Sequence, residues 1–306
     1  QKAKRRYNIE YDYVEAPPGA VEEFGRLARQ MADRDKYDLI IAQSSFAAEP
    51  LKEVGSDYPD QEFMVMDAAV ENSTNVASMV YQQNEGSFLV GVVAGMMTDV
   101  QSNKTSSQQK VGFVGGMEIP VITDFYAGYK AGAEWANPEV EVLSKYVGSF
   151  DDVSGAKEGA LSMYNNGADV VFQAAGQSGL GVFEAAQEQN RLAIGVDTPQ
   201  AYLAPDHIVT SMVKRVEASV IDTARALKED KFEAGSIYVY GVKAGVGPSG
   251  IGGAGESTST VSVPEEVRKK VQEAREKIIN GEIEVPGELP WTKYEQQGTK
   301  FPWYEE

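Results

Sequence analysis

Short apolar runs alternate with amphipathic stretches along almost the whole chain. Ile9 to Val14 reads as a strand, Val21 to Asp33 as a helix, and Leu39 to Ala42 as a buried strand. Phe63 to Met66 and Ala77 to Val80 are further strands, and Phe88 to Thr98 is an apolar helix of small residues. The rhythm restarts with a strand at Val111 to Val114, a helix from Thr123 to Trp135 and a strand from Glu141 to Tyr146. Helices at Ser154 to Asn166 and Gly181 to Gln189 then alternate with strands at Val170 to Gln173 and Leu192 to Val196. Val209 to Met212, a helix from Glu217 to Glu229 and a strand at Ile237 to Tyr240 follow. A charged helix from Pro264 to Ile279 has proline in its first turn and Asn280-Gly281 as its stop. Apolar runs of four to six residues between amphipathic helices predict parallel strands covered on both faces. The class is therefore α/β, wound twice.

The polar stretch Lys104 to Gln109 separates the two rhythms and is the natural first crossover between lobes. Residues 1–109 plus 212–242 are expected to form an N-terminal lobe, and 110–211 plus 243–306 a C-terminal lobe. Gly241 to Thr260 is too rich in glycine and serine to hold a regular element over its length. Trp291 and Trp303, in the tail from Pro290, are expected to pack on a lobe surface.

Charge narrows the partners. The 306 residues carry a formal net charge of −18, spread along the chain, which argues against nucleic acid and against an anionic membrane surface. So acidic a surface reads as a solvated exterior, or as adaptation to high salt, where self-repulsion is screened. There is no cysteine and only one histidine, His207, so disulfides, thiolate chemistry and a histidine-rich metal site are not expected. No cofactor and no metal are called for.

In open parallel sheets, ligands sit beyond the carboxyl ends of the strands, and four such places stand out. Asp67 ends one strand, and Phe150 with Asp151-Asp152 follows another. The turn Gly176 to Gly181 follows Val170 to Gln173, and Asp197 ends Leu192 to Val196. A carboxylate there can accept two sugar hydroxyls, or can simply cap the next turn. The glycine turn lets main-chain N–H groups approach a ligand closely, or is only a tight strand-to-helix turn. It lacks the Lys and Ser/Thr of a phosphate loop. Phe150 offers a face for stacking, or anchors a core. Lys214, near a return crossover, can donate to a sugar oxygen, or sit solvated.

Gly245 to Gly250 matches G-x-G-x-x-G by letter, but Pro248 and the glycine-rich text after it provide no helix to receive a pyrophosphate. His207 has no nucleophile and acid arranged with it, and adjacent acids such as Asp151-Asp152 diverge. Nothing in these patterns asks for an enzyme.

The segments FMVMDAAV (from Phe63), EGSFLVGVVAGMMTD (from Glu85) and KVGFVGGMEIPVITDFYAGYKAG (from Lys110) resemble blocks of the basic membrane protein, or PnrA-like, family. So do the long block from Tyr146 to Ala186, AIGVDTPQ (from Ala193), VTSMVKRVE (from Val209) and the closing segment Val263 to Pro286. The resemblance covers nearly the whole chain from Asp38 to Pro286. It implies a type I periplasmic-binding fold: two Rossmann-like lobes, three crossovers and a ligand enclosed between them. It also implies the extracytoplasmic, lipid-anchored or periplasmic ligand-capturing subunit of an ABC importer, a monomer that delivers a nucleoside, with purine favoured, to a membrane permease. By motif, Phe150 would stack on the base and Asp67 would hydrogen-bond it, while Gly176, Asp197 and Lys214 would hold the ribose.

The family places a D-D-x-x-F-N type motif in its first strand-to-helix turn, and this sequence does not contain it. Its opening residues correspond to the end of the first helix, so the first strand is expected to be absent. The expectation is that a longer chain held that strand behind a signal peptide and could have held a lipidated cysteine. Alternatives are a binding protein for a free base, a sugar or an autoinducer-like molecule, the ligand core of a regulator, or an α/β hydrolase. The regulator would need a basic helix-turn-helix, and the hydrolase a nucleophile or an acidic metal cluster.

Overall fold

The apolar runs become strands in the computed structural model, which describes residues 2–16, 22–106, 108–251 and 257–289. The expected packing of Trp291 and Trp303 lies outside the described residues. In chain order the elements begin with α1 (Lys2–Tyr7), α2 (Glu23–Ala32), β1 (Leu39–Gln43), α3 (Ala48–Asp57), β2 (Glu62–Met66) and β3 (Val76–Tyr81). Next come α4 (Gln83–Met97), β4 (Lys110–Gly115), α5 (Pro120–Ala136), β5 (Glu141–Tyr146), α6 (Val153–Asn165) and β6 (Ala168–Ala174). The rest are α7 (Leu180–Glu188), β7 (Leu192–Asp197), β8 (Ile208–Val213), α8 (Val216–Lys228), β9 (Ile237–Tyr240), β10 (Gly247–Pro248) and α9 (Glu265–Ile279).

Two compact units result. Among the described residues, the first takes those within 2–81 and 216–240, and the second those within 82–215 and 241–289. These boundaries differ from those expected at 109/110, 211/212 and 242/243. The whole of α4 belongs to the second unit, because it packs along α5. Gly91 and Gly95 on α4 lie against the main chain of Tyr129 and Ala133 on α5, and a Cβ at Gly128 or Gly132 on α5 would run into the main chain of Asn84 or Phe88 on α4. An apolar helix buried all round shows no preferred neighbour in its sequence.

The first unit holds a parallel sheet in the order β1-β2-β3-β9. One face packs Phe63, Val65 and Val76 against Ala28 and Ala32 of α2 and Leu51 and Val54 of α3. On α8, the Ser219 hydroxyl lies 2.6 Å from that of Tyr81 at the end of β3. The strand expected at Ile9 to Val14 is not formed, since residues 8–16 have no regular structure. Alternating side chains make a strand only where a neighbouring chain takes up the backbone donors and acceptors. Asp12 instead accepts hydrogen bonds from Lys36 at 2.8 Å and Tyr37 at 2.7 Å. β1 is an edge, and its Ile41 is 41% exposed.

The second unit holds six strands in the order β10-β8-β7-β6-β4-β5, all parallel except the antiparallel pair β10 and β8. Alternate residues feed two cores. Val111, Phe113, Val170, Phe172, Leu192 and Ile194 face α4, α5 and α9, whereas Val114, Val171 and Ala193 face α6 and α7. Fully burying side chains of this size contributes about 1.5 to 3 kcal/mol each. Helix ends follow local rules: Pro120 starts α5, Asp152 caps α6 by accepting from the Gly155 N–H at 2.9 Å, and Gly281, at φ +74°, terminates α9. Among the described residues no helix is long and apolar enough to cross a membrane.

Candidate functional site

In the second unit the loops at the carboxyl ends of adjacent strands bring four of the five predicted residues to one end of the sheet. Phe150 follows β5, Gly176 follows β6, Asp197 ends β7 and Lys214 follows β8. The fifth, Asp67, follows β2 in the first unit. Its N–H extends the ladder to the Met79 carbonyl at 2.9 Å.

Phe150 and Gly176 are direct neighbours. A Cβ on Gly176 would lie 3.2 Å from both the Cβ and the carbonyl oxygen of Phe150, and Gly176 is left-handed at φ +59°. Both the close approach and the backbone angle require glycine. Ser178 staples the two loops, its N–H donating to the Phe150 carbonyl and its hydroxyl to the Ser149 carbonyl, each at 3.1 Å. On the other side Phe150 covers Gly116, where a Cβ would strike the ring. The aromatic face is thus held by two glycines and a serine. Asp151 and Asp152 serve the loop itself: Asp151 accepts from the Ser149 hydroxyl, and Asp152 caps α6.

Asp197 and Lys214 form a second pair. The Lys214 N–H donates to the Asp197 carbonyl at 3.1 Å, carrying the β7–β8 ladder one step past the strands. Asp197 is exposed and left-handed, at φ +63°. Lys214 is buried, and its Nζ lies 5.6 Å from the centre of the Phe125 ring on α5, within cation–π range. Asp67 repeats the left-handed backbone in the first unit, at φ +66°. Left-handed aspartates cost conformational energy and gather at functional loops.

Next to Phe125 on α5, Asp124 is fully buried, and burial pushes its carboxyl up to about 6. Its oxygens accept from the Glu288 N–H at 2.8 Å, the Leu289 N–H at 3.3 Å and the Gln83 side chain at 3.0 Å. These bonds pull the carboxyl down again, but by less. Asn84 donates to the Val285 carbonyl at 3.1 Å, so the segment after α9 is strapped across the start of α4 and α5.

Gly245 to Gly250 contains the short strand β10, not the start of a helix. His207 is used internally, its Nδ1 lying 2.8 Å from the Arg191 carbonyl oxygen. Among the described residues no cluster of His, Cys, Asp and Glu is arranged to hold a metal ion.

Residues 1–288 match the family described as ABC transporter substrate-binding protein PnrA-like. The chain belongs to that family. PnrA-like relatives include "Basic membrane protein A" of Borreliella burgdorferi, 32% identical over 84% of this chain and 80% of the relative. The "ABC transporter nucleoside-binding protein BmpA" of Lactococcus lactis is 31% identical over 83% of this chain and 73% of its own length. Among solved structures, an ABC transporter solute-binding protein from Aeropyrum pernix superposes with a TM-score of 0.80 at 27% identity, over 96% of this chain and 89% of that one. The PnrA-like fold explains why the parallel strands and the loops at their carboxyl ends could be read from the sequence.

Sequence reasoning missed Ser178, Gly116 and Phe125, which shape the surroundings of the predicted residues, and also Gln173 and Gln200. Gln173 left one signal. It is an amide near the end of an apolar strand, and a buried amide demands partners.

Proposed function

We propose that this PnrA-like chain is the extracytoplasmic substrate-binding subunit of an ABC importer and that its ligand is a nucleoside, with a purine nucleoside favoured. The supporting observation is the convergence of Phe150, Gly176, Asp197 and Lys214 at one end of a single sheet. An aromatic face beside a glycine turn suits a flat base, and stacking of a base on such a face is worth about 1 to 3 kcal/mol. The carboxylate of Asp197 and the ammonium of Lys214 suit vicinal hydroxyls, because charge-assisted hydrogen bonds are stronger than neutral ones. The printed name of the Lactococcus relative points to the same ligand class. The partner is a membrane permease, the working form is a monomer, and the role is capture without chemistry.

Titration calorimetry with inosine, guanosine and adenosine, set against ribose and free bases, tests the reading. Nucleosides are expected to bind at least about tenfold more tightly than either fragment, since each half of the site would contribute on the order of 1.4 kcal/mol or more. Binding of ribose alone, or conversion of nucleoside to free base during incubation, overturns it.

A further inference from the structure

We propose that Gln200 and Gln173 are positioning residues, whose side chains together set the backbone on which Gly176 and Asp197 sit. The hydrogen-bonded ladder between β6 and β7 ends at Phe172 and Ile194, so the two strands part just before the candidate site. Beyond that point β6 keeps its pairing with β4 and β7 its pairing with β8, but the two no longer pair with each other, and two side-chain amides bond the main chain along the gap. The Gln200 Oε1 accepts from the Val196 N–H at 2.8 Å and from the Gln173 Nε2 at 3.0 Å. The Gln173 Oε1 accepts from the Ala175 N–H at 3.1 Å. The Gln200 N–H donates to the Ser211 hydroxyl at 3.0 Å, and the Ser211 N–H donates to the Ser249 hydroxyl at 3.2 Å. The chain of bonds therefore runs from β6 through the loop after β7 to β8 and the segment after β10.

Two of these bonds end on the residues immediately before the left-handed pair. Ala175 precedes Gly176 at φ +59°, and Val196 precedes Asp197 at φ +63°. A left-handed aspartate persists only where its surroundings over-determine it, and this network supplies that constraint. Space is reserved for it as well. A Cβ at Gly195 would lie 2.6 Å from the Gln200 Oε1 and from the Ser211 hydroxyl, and one at Gly179 would collide with the Gln173 Oε1. Gln173 is fully buried, so its amide cannot be exchanged for water, and Gln200 beside it is partly buried.

The bond directions make a chemical asymmetry. In these bonds Gln200 uses its side-chain oxygen as a double acceptor, so the isosteric change Gln200→Glu keeps both bonds. Gln173 must donate to Gln200 and accept from Ala175, so Gln173→Glu sets one acceptor against another. A role in packing alone would not tell these two substitutions apart.

The test rests on the nucleoside reading only in its second half. In the full chain without ligand, amide hydrogen exchange is measured at Ala175 and Val196. Exchange is expected to be about tenfold faster in Gln200→Leu and Gln173→Glu, the loss of roughly one buried hydrogen bond, and near the parent value in Gln200→Glu. Affinity for inosine, read by calorimetry, is expected to fall about tenfold in the first two variants and to be retained in the third. Unchanged exchange at both amides in Gln173→Glu overturns the proposal, as does equal behaviour of the two Glu variants. Should Gln200→Leu fail to fold, the two Glu variants decide the matter alone. Altered exchange in a protein that binds no nucleoside in any form supports the positioning network and overturns the nucleoside assignment instead.

Discussion

The two units use the same building rule and finish it differently. In the second unit, strands covered on both faces end on one side at the short antiparallel β10, which carries Pro248, and on the other at β5. In the first unit the four strands end at β1, where Ile41 is 41% exposed and the segment 8–16, bearing Tyr11, Tyr13 and Val14, lies without regular structure. An open pocket of about 530 Å³, lined by Lys4, Asp12 and Arg34 as well as Tyr11, Val14 and Met31, lies against this segment. Of the eight large apolar side chains exposed among the described residues, five fall between Tyr11 and Phe46. A strand edge with apolar neighbours is a place where pairing is unfinished, and natural sheets usually cover or charge it. The contrast predicts that stability is held mainly by the second unit.

The largest test of that contrast is Gly132→Val, which drives a branched side chain into the Phe88 carbonyl on α4. Loss of about 4 kcal/mol or more, or failure to fold, is expected in urea unfolding. A loss under about 1 kcal/mol would mean that the α4–α5 contact is not the rigid centre of the unit.

Asp124→Asn comes next. The folded carboxyl titrates at about 6 against an ordinary value of 3.8, so its favourable contribution is complete below the lower value and is gone once the pH has risen through the upper one. Across that window the parent protein should lose roughly 3 kcal/mol as pH rises, and the asparagine variant should not. Asparagine still accepts from the Glu288 and Leu289 N–H groups, and its own amide can donate to the Gln83 Oε1, which otherwise has no partner among the described residues. The variant is therefore expected to melt higher than the parent at pH 7.5 and to approach it near pH 4. A parallel pH profile for both proteins would refute the assignment.

Phe150→Ala should weaken nucleoside binding by about 1 to 3 kcal/mol, read by calorimetry, because the stacking face is lost. It should leave the melting temperature nearly unchanged, since the ring is only partly buried. At the small end, Ile41→Lys on β1 should shift stability by no more than about 0.5 kcal/mol. The comparison Val171→Lys, in the middle of β6, should abolish folding. Equal effects of the two lysines would erase the difference between the sheets.

Much of this architecture was legible because strands buried on both faces leave unbroken apolar runs, as Val170 to Phe172 and Leu192 to Val196 do. The placement of Phe150, Gly176, Asp197 and Lys214 at the ends of adjacent strands was legible for a related reason, since sheets of this kind present their loops at the carboxyl ends of the strands. The unit boundary was not legible. Lys104 to Gln109 looks like a linker because it is polar, yet its Ser106 N–H donates to the buried Asp169, and Arg191 donates to the Lys104 carbonyl, which ties the stretch into the second unit. Ile9 to Val14 shows the converse error: alternation specifies a strand only in the presence of a neighbour. Gln173 and Gln200 escaped notice because a sequence shows which amides are present but not which strands part beside them.

The left-handed turns at Asp67 and Asp197 restrict what an engineer could write at these positions. Only glycine, asparagine and aspartate occupy that region of backbone space comfortably. A library of replacements at either position would waste most of its members, because bulky and branched side chains would deform the loop before they could meet any ligand. Variation at Phe150 or Lys214, whose backbones carry no such restriction, is the better investment.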